Sequence, residues 1–224
     1  MPVKIIDPDY YDAINFYGSG FWKNSAVDTP ARILVENGHE QTFAYRFDWD
    51  ELREVNGVDL SRLVGAAHAL EILFVMGTFD NFIIKSFLFG RGSFRPALEL
   101  SSNIQSYWAE FAYTGNPGRG TNNALPLWKK WSNEGEKYLI LDSTLDKGIK
   151  MSDEEYTVEF LLDRLSKDSR LSDIEKCETL FGISYDDGSG VSENVFNNFL
   201  GGICKGLDYA KTIEIINAVR TRLT

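Results

Sequence analysis

The chain opens with a helical period of apolar positions. Asp7-Pro8-Asp9 reads as a helix start, a capping residue followed by a proline in the first turn. Tyr10, Ile14, Phe16, Tyr17, Phe21 and Trp22 then supply an apolar face, interrupted by Gly18-Ser19-Gly20. Asp28-Thr29-Pro30 is a second start signal and Asn37-Gly38 a stop, so residues 7–38 are predicted helical. From Gln41 to Trp49 the period changes to two. Phe43, Tyr45, Phe47 and Trp49 alternate with Thr42, Ala44, Arg46 and Asp48, the pattern of a half-buried strand. Residues 50–64 are polar and close on a short amphipathic segment, Val58 to Val64. Phe79 to Pro96 shows no period and reads as mostly loop. Leu98 to Thr114 has the clearest helical pattern, with Leu98, Leu100, Ile104, Tyr107, Trp108, Phe111 and Ala112 at three- and four-residue steps. Gly115-Asn116-Pro117-Gly118 stops it. A loop with two tryptophans, Pro126 to Trp131, leads to a short strand, Lys137 to Asp142, and Ile149-Lys150-Met151 suggests a third strand at an edge. From Ser152 on the pattern is helical, near 153–167, 172–181, 192–206 and 208–223, with 182–191 the most linker-like stretch.

At 224 residues the chain suits one large domain or one and a half. Fifteen phenylalanines, ten tyrosines and five tryptophans argue for a packed core. The formal net charge of -10 works against phosphate backbones and anionic bilayers, so neither nucleic acid nor membrane is expected as a partner. No apolar run reaches the length of a membrane span. The two cysteines, Cys177 and Cys204, allow one disulfide, although two reduced, buried thiols are the expectation. MPVKIIDPDYY carries no basic and apolar leader, and the expected location is cytoplasmic. No cofactor and no metal is expected. Asp186-Asp187-Gly188-Ser189-Gly190 lacks the ligand spacing of an EF-hand, and Gly90-Arg91-Gly92 lacks the third glycine and preceding strand of a phosphate loop. His39, in Asn37-Gly38-His39-Glu40, reads as a solvated turn residue.

The one constellation that suggests chemistry is GAAHALEILFVMG, Gly65 to Gly77. A histidine among small residues can act as a base, because its neighbours leave room for a substrate, and Glu71 could order the loop. Pattern alone favours the plainer alternative, a core histidine hydrogen-bonded to backbone. No G-x-S-x-G elbow occurs. Ser19, Ser93 and Ser189 stand beside glycines and read as turn residues.

Taken in order, FAYRFDW, GAAHALEILFVMGTFD, SYWAEFAYTGNPGRG, PLWKKW and KYLILD resemble the C-terminal part of type B carboxylesterases, the cholinesterase-like branch of the α/β-hydrolases that includes para-nitrobenzyl-esterase-like members. The resemblance runs from about residue 7 to 151, and more loosely beyond. It implies an α/β architecture, a partial α/β-hydrolase fold made of the last strands of the central sheet plus covering helices. Residues 1–151 would be the C-terminal part of the hydrolase domain, and residues 152–224 a helical C-terminal extension of the same domain. It places His68 on the catalytic histidine of a Ser-His-acid triad that hydrolyses a small-molecule carboxylic ester. Glu71 and Gly65 would support the loop, and Phe74, Met76 and Phe79 would lie near the substrate pocket. Two positions depart from the family pattern: Leu73 stands where proline is common and Met76 where phenylalanine is common.

The family's chain order of Ser, acid, His leaves a gap, because only 67 residues precede His68. The serine, oxyanion hole and acid are therefore expected upstream of Met1, and the chain alone is expected to be inactive. Two alternatives stand beside this: half of a split esterase completed by an N-terminal esterase polypeptide, and a non-catalytic cholinesterase-like binding module. Phe43, Tyr45, Phe74, Trp108 and Phe111 are expected to seek packing partners outside the chain, leaving it poorly soluble alone or paired with another polypeptide.

Overall fold

The computed structural model describes residues 5–79, 85, 88–90, 92–184 and 191–207. By packing, the chain divides into two units: residues 31–154, and the residues up to Pro30 together with those from Glu155 on. Each is a small mixture of helices, and residues 31–154 also carry the strands.

In the unit of residues 31–154, the alternation at 41–49 yields a shorter strand than the pattern predicts, β1 (Tyr45–Phe47). Its parallel partner is β4 (Tyr138–Leu141), with Tyr45 opposite Leu139 and Phe47 opposite Leu141. The edge strand β5 (Lys150–Ser152) runs antiparallel to β4, so the sheet order is β1-β4-β5. All four residues of β4 are buried, which is why YLIL shows no alternation: a central strand covered on both faces is apolar throughout. Between β1 and β4 lies a hairpin that the polar character of 50–64 conceals. It joins β2 (Glu54–Val55) to β3 (Val58–Asp59) through Asn56-Gly57, with φ of 52° and 78°. Asn-Gly is the pair that tolerates two left-handed residues in succession.

Two short helices follow, α3 (Leu60–Leu63) and α4 (Glu71–Met76), then the long α5 (Phe94–Thr114). Helix α5 begins a turn earlier than its apolar period indicates. Pro96 sits in the first turn, where a proline costs no hydrogen bond. Its buried face is Ala97, Leu100, Ser101, Ile104 and Tyr107, while Leu98 and Phe111 remain 42% and 48% exposed. Gly115 ends it in the left-handed region, φ 75°, as the glycine stop predicts. Helix α5 packs on the sheet through rings: Tyr45 lies 5.1 Å from Trp108, and Phe43 lies 6.0 Å from Phe111, between centroids. Trp128, from the predicted tryptophan loop, joins Tyr107 at 5.4 Å, and its indole N–H donates to the Ala44 carbonyl. The expectation that Phe74 lacks partners is corrected: it is 1% exposed.

In the other unit, Asp7 caps α1 (Pro8–Lys23) by accepting from the Tyr10 N–H at 3.0 Å. Gly18-Ser19-Gly20 does not interrupt the helix. A Cβ on Gly20 would lie 2.9 Å from Leu161, so the glycine is where another helix makes its close approach. One π-helical turn, Asn24–Asp28, then leads into α2 (Thr29–Glu36), of which residues 31–36 belong to the unit of residues 31–154. The buried carboxylate of Asp28 is held by Lys23 Nζ at 2.6 Å and by the Tyr156 N–H at 2.8 Å. Burial nevertheless pushes its carboxyl pKa upward. The later helices are α6 (Val158–Lys167), α7 (Asp173–Ser184) and α8 (Glu193–Asn198), followed by a 3₁₀ segment, Phe199–Gly206. The linker-like stretch is in part helical, since α7 runs to Ser184; residues 185–190 and the predicted helix at 208–223 lie outside the described residues, as does the Asp186–Gly190 turn. The expectation of two reduced thiols is corrected: Cys177 and Cys204 form a disulfide, with their Cα atoms 5.3 Å apart. Chain spacing cannot reveal this, because it is tertiary packing that brings α7 against the 3₁₀ segment.

Candidate active site

The histidine stretch folds as a turn clamped at both ends. Gly65 closes α3, its N–H directed to the Leu60 carbonyl at 3.4 Å. With φ of 57° it takes the left-handed conformation that a glycine adopts without strain. Ala66 and Ala67 follow, and the Leu70 N–H donates to the Ala67 carbonyl at 3.1 Å, enclosing His68 and Ala69 in one tight turn. Ala69 is left-handed as well, φ 71°. For a residue with a Cβ this costs about 1–2 kcal/mol, so the surrounding structure must hold it. The Ile72 and Leu73 N–H groups donate back to the Ala69 and Leu70 carbonyls at 3.3 and 3.2 Å, and α4 begins.

The far end of the clamp is in the core. Phe74 is the buried residue of α4. Its ring lies 5.0 Å from Phe47, 5.0 Å from Trp49 and 5.3 Å from Phe79. A helix of six residues leaves most of its carbonyls without intrahelical partners. Ser101 of α5 satisfies one of them, its hydroxyl donating to the Phe74 carbonyl at 2.6 Å. The Gly77 and Thr78 N–H groups close the end on the Leu73 carbonyl. Ser101 has no place in the sequence-based expectations. The signal that could have found it is a serine next to Leu100, on the apolar stripe of a helix.

Against this frame the sequence-proposed residues fall into three groups. His68 is exposed, on the turn. Glu71 begins α4 half-buried, and its charge, after burial itself, raises the phenol pKa of Tyr45 on β1. Phe74 and Phe79 meet in the core at 1% and 4% exposure, whereas Met76 is 64% exposed. Gly65 ends α3. His39 is exposed, as a turn residue should be, and its N–H donates to the Leu34 carbonyl. Ser19 lies within α1, Ser93 is buried and accepts from the Gly90 N–H at 3.0 Å, and Ser189 lies outside the described residues.

A second feature went unread in the sequence. Carboxylates gather where the parallel strands β1 and β4 end: Asp48, Asp50, Glu51 and Asp142. Asp142 is 1% exposed and accepts from the Ser143 N–H at 2.7 Å and the Lys147 N–H at 3.3 Å. Burial outweighs those bonds and pushes its pKa up to about 6. The Ser143 hydroxyl donates to Glu51, and the Asp50 pKa is raised by burial and by the Glu51 charge. Arg46 and Lys147 offset the charge through Asp48, at 2.6 and 3.3 Å. A cleft of about 160 Å³ opens beside Asp142 and Ser143, with Glu99, Leu100 and Asn103 of α5 on its other wall. None of the six sequence-proposed residues lines it. Among the described residues no helix is long and apolar enough to cross a membrane.

The parallel pair β1 and β4 and the long helix packed across them can be set beside known proteins. The carboxylesterase family model matches residues 9–160, and the chain belongs to that family. Carboxylesterase 5A of Canis lupus familiaris is 37% identical over 102 residues, which is 46% of this chain and 16% of that protein. Carboxylesterase 4A of Bos taurus is 38% identical over 94 residues, covering 42% and 15%. The para-nitrobenzyl esterase of Bacillus subtilis is 30% identical over 127 residues, covering 56% and 22%. The chain thus matches less than a quarter of the length of these relatives. No solved structure gives a significant match. The small mixed sheet with its helices is consistent with a partial α/β-hydrolase fold.

Proposed function

We propose that these residues belong to a carboxylic-ester hydrolase and that His68 is its general base and acid. The observation that carries this is the His68 turn. It presents an exposed imidazole beside a left-handed alanine, just ahead of a helix that Phe74 and Ser101 tie to the core. Strained backbone held by its surroundings is concentrated at functional sites, and an acyl-transfer base must keep its orientation while it handles a proton. In the proposed reaction a serine attacks the ester carbonyl and His68 accepts the serine proton. It then returns that proton to the departing alcohol, and water repeats the sequence on the acyl-enzyme. The serine, the oxyanion hole and the acid come from sequence outside these residues, either in the same polypeptide or in a separate one that completes the site. Glu71 supports the turn; lying so soon after His68, it does not fit the family's order for the triad acid.

The test is the His68→Gln variant of the natural protein, assayed on a chromogenic short-chain carboxylic ester. Loss of the base lowers kcat by about six orders of magnitude with KM little changed. A kcat within a few fold of the unaltered protein rejects the assignment.

A further inference from the structure

The family match ends at residue 160, and both cysteines lie beyond it, in the C-terminal helices. The structure around it shows why a covalent bond is needed. Helix α8 is six residues long and buries no residue fully, too short to be stable by itself. The 3₁₀ segment that follows contains three left-handed residues in succession, Leu200, Gly201 and Gly202, with φ of 50°, 69° and 94°. For a leucine this conformation is strained, and glycines add flexibility in the unfolded chain. Two residues later comes Cys204, bonded to Cys177 of the longer α7. Both cysteines are 0% exposed, and they sit in the apolar cluster with Leu161, Leu165, Leu180 and Phe199. The bond therefore anchors the weakest part of the unit to its core, where water-borne reductants do not reach it in the folded state.

We infer that the Cys177–Cys204 disulfide is a folding requirement of the C-terminal helices, and that the chain matures in an oxidising compartment rather than in a reducing cytoplasm. The chain has two cysteines and no free thiol, so there is no competing pairing within it. Formation is a thiol–disulfide exchange. The thiolate of one cysteine attacks a disulfide-form oxidant, and the second thiolate displaces the reduced carrier from the mixed disulfide. Two electrons and the two cysteine protons pass to the oxidant, which leaves as two thiols. Closing a loop across a sequence separation of 27 favours the folded unit by roughly several hundred-fold in the unfolding equilibrium on the chain-entropy scale. Disulfides of this structural kind are rare where glutathione and thioredoxin keep thiols reduced.

Two measurements test this on the full chain. The first is intact mass of protein taken from its natural source with thiols blocked by iodoacetamide at lysis. Expected is a mass lower by two hydrogens with no blocked thiol, until denaturant and reductant together expose two. Quantitative blocking of both cysteines under native conditions overturns the assignment to an oxidising compartment. The second compares limited proteolysis of the unaltered chain with Cys177→Ala/Cys204→Ala. Expected is cleavage within residues 191–207 accelerated by roughly a hundred-fold or more, with the segment 31–154 cut at its former rate. Equal cleavage rates overturn the folding requirement. A single-cysteine variant that matches the double variant in cleavage rate shows that the bond, and not one side chain, is responsible; a single variant behaving as the unaltered chain again overturns it.

Discussion

Replacing Phe74 with alanine should loosen the His68 turn without touching it. Phe74 is the one buried side chain of α4, and its ring has three aromatic neighbours with centroids within 5.3 Å. Burying a phenylalanine side chain is worth about 1.5–3 kcal/mol in transfer from water. The cavity left at a site walled by Trp49, Phe47 and Phe79 adds to that, as does the loss of ring pairs worth about 0.5–1.5 kcal/mol each. Large-to-small aromatic substitutions in cores cost about 3–5 kcal/mol, and about 4 kcal/mol is the value expected here, because rigid ring walls collapse poorly. Urea denaturation followed by tryptophan fluorescence reads the loss directly, with Trp49 as a reporter at the cavity. Hydrogen exchange reads the connection to the site: the Leu70, Ile72 and Leu73 amides, which close the turn, should exchange roughly several hundred-fold faster wherever their opening is limited by the core. Phe74→Leu should lose about a third as much. A loss below about 1 kcal/mol for Phe74→Ala, or unchanged exchange at the three amides, refutes the view that the core holds the turn.

Three further outcomes are expected. Asp142 holds its proton up to about pH 6 in the folded chain, while the unfolded chain releases it near 4. Stability should therefore fall as pH rises through that window, by up to about 3 kcal/mol, and Asp142→Asn should flatten the fall in a pH series of denaturation curves. Lys23→Ala leaves the fully buried Asp28 carboxylate without its cation. The cost should be about 3–5 kcal/mol at neutral pH and should shrink in acid, where Asp28 takes up a proton. Ala69→Gly should be neutral or stabilising by about 0.5 kcal/mol in the same assay, because relief of the left-handed strain offsets the extra freedom of glycine in the unfolded chain.

The parts of the fold legible in the sequence are those set by local chemistry. Asp7 caps a helix, Gly115 ends one, and the unbroken YLIL run is a buried strand because those features act within a few residues. Features that depend on distant partners were not legible. The apolar alternation of 41–49 extends over nine residues, but β4 pairs with only three of them, so β1 is short. Helix α5 starts at Phe94 although its apolar period begins later, since Pro96 falls in the first turn, where its missing N–H costs no hydrogen bond. The six-residue α4 was hidden inside an apolar run that fits strand, loop or helix equally. At the candidate site, His68 stood out by residue type and by resemblance. Its clamp did not: the left-handed Ala69 and the Ser101 bond across 27 positions of chain leave no local mark. The carboxylate group at the ends of β1 and β4 was invisible for the same reason, as Glu51 and Asp142 become neighbours only once those strands pair.

The most direct test of His68 as the base of an ester hydrolase is fluorophosphonate labelling of the natural protein, read by intact mass with and without His68→Gln. The account predicts one phosphonyl adduct on a serine of the assembly that contains these residues, formed at least a hundred-fold more slowly in the variant because the serine loses its base. No adduct in the natural protein, or an adduct formed at the same rate in both, contradicts it.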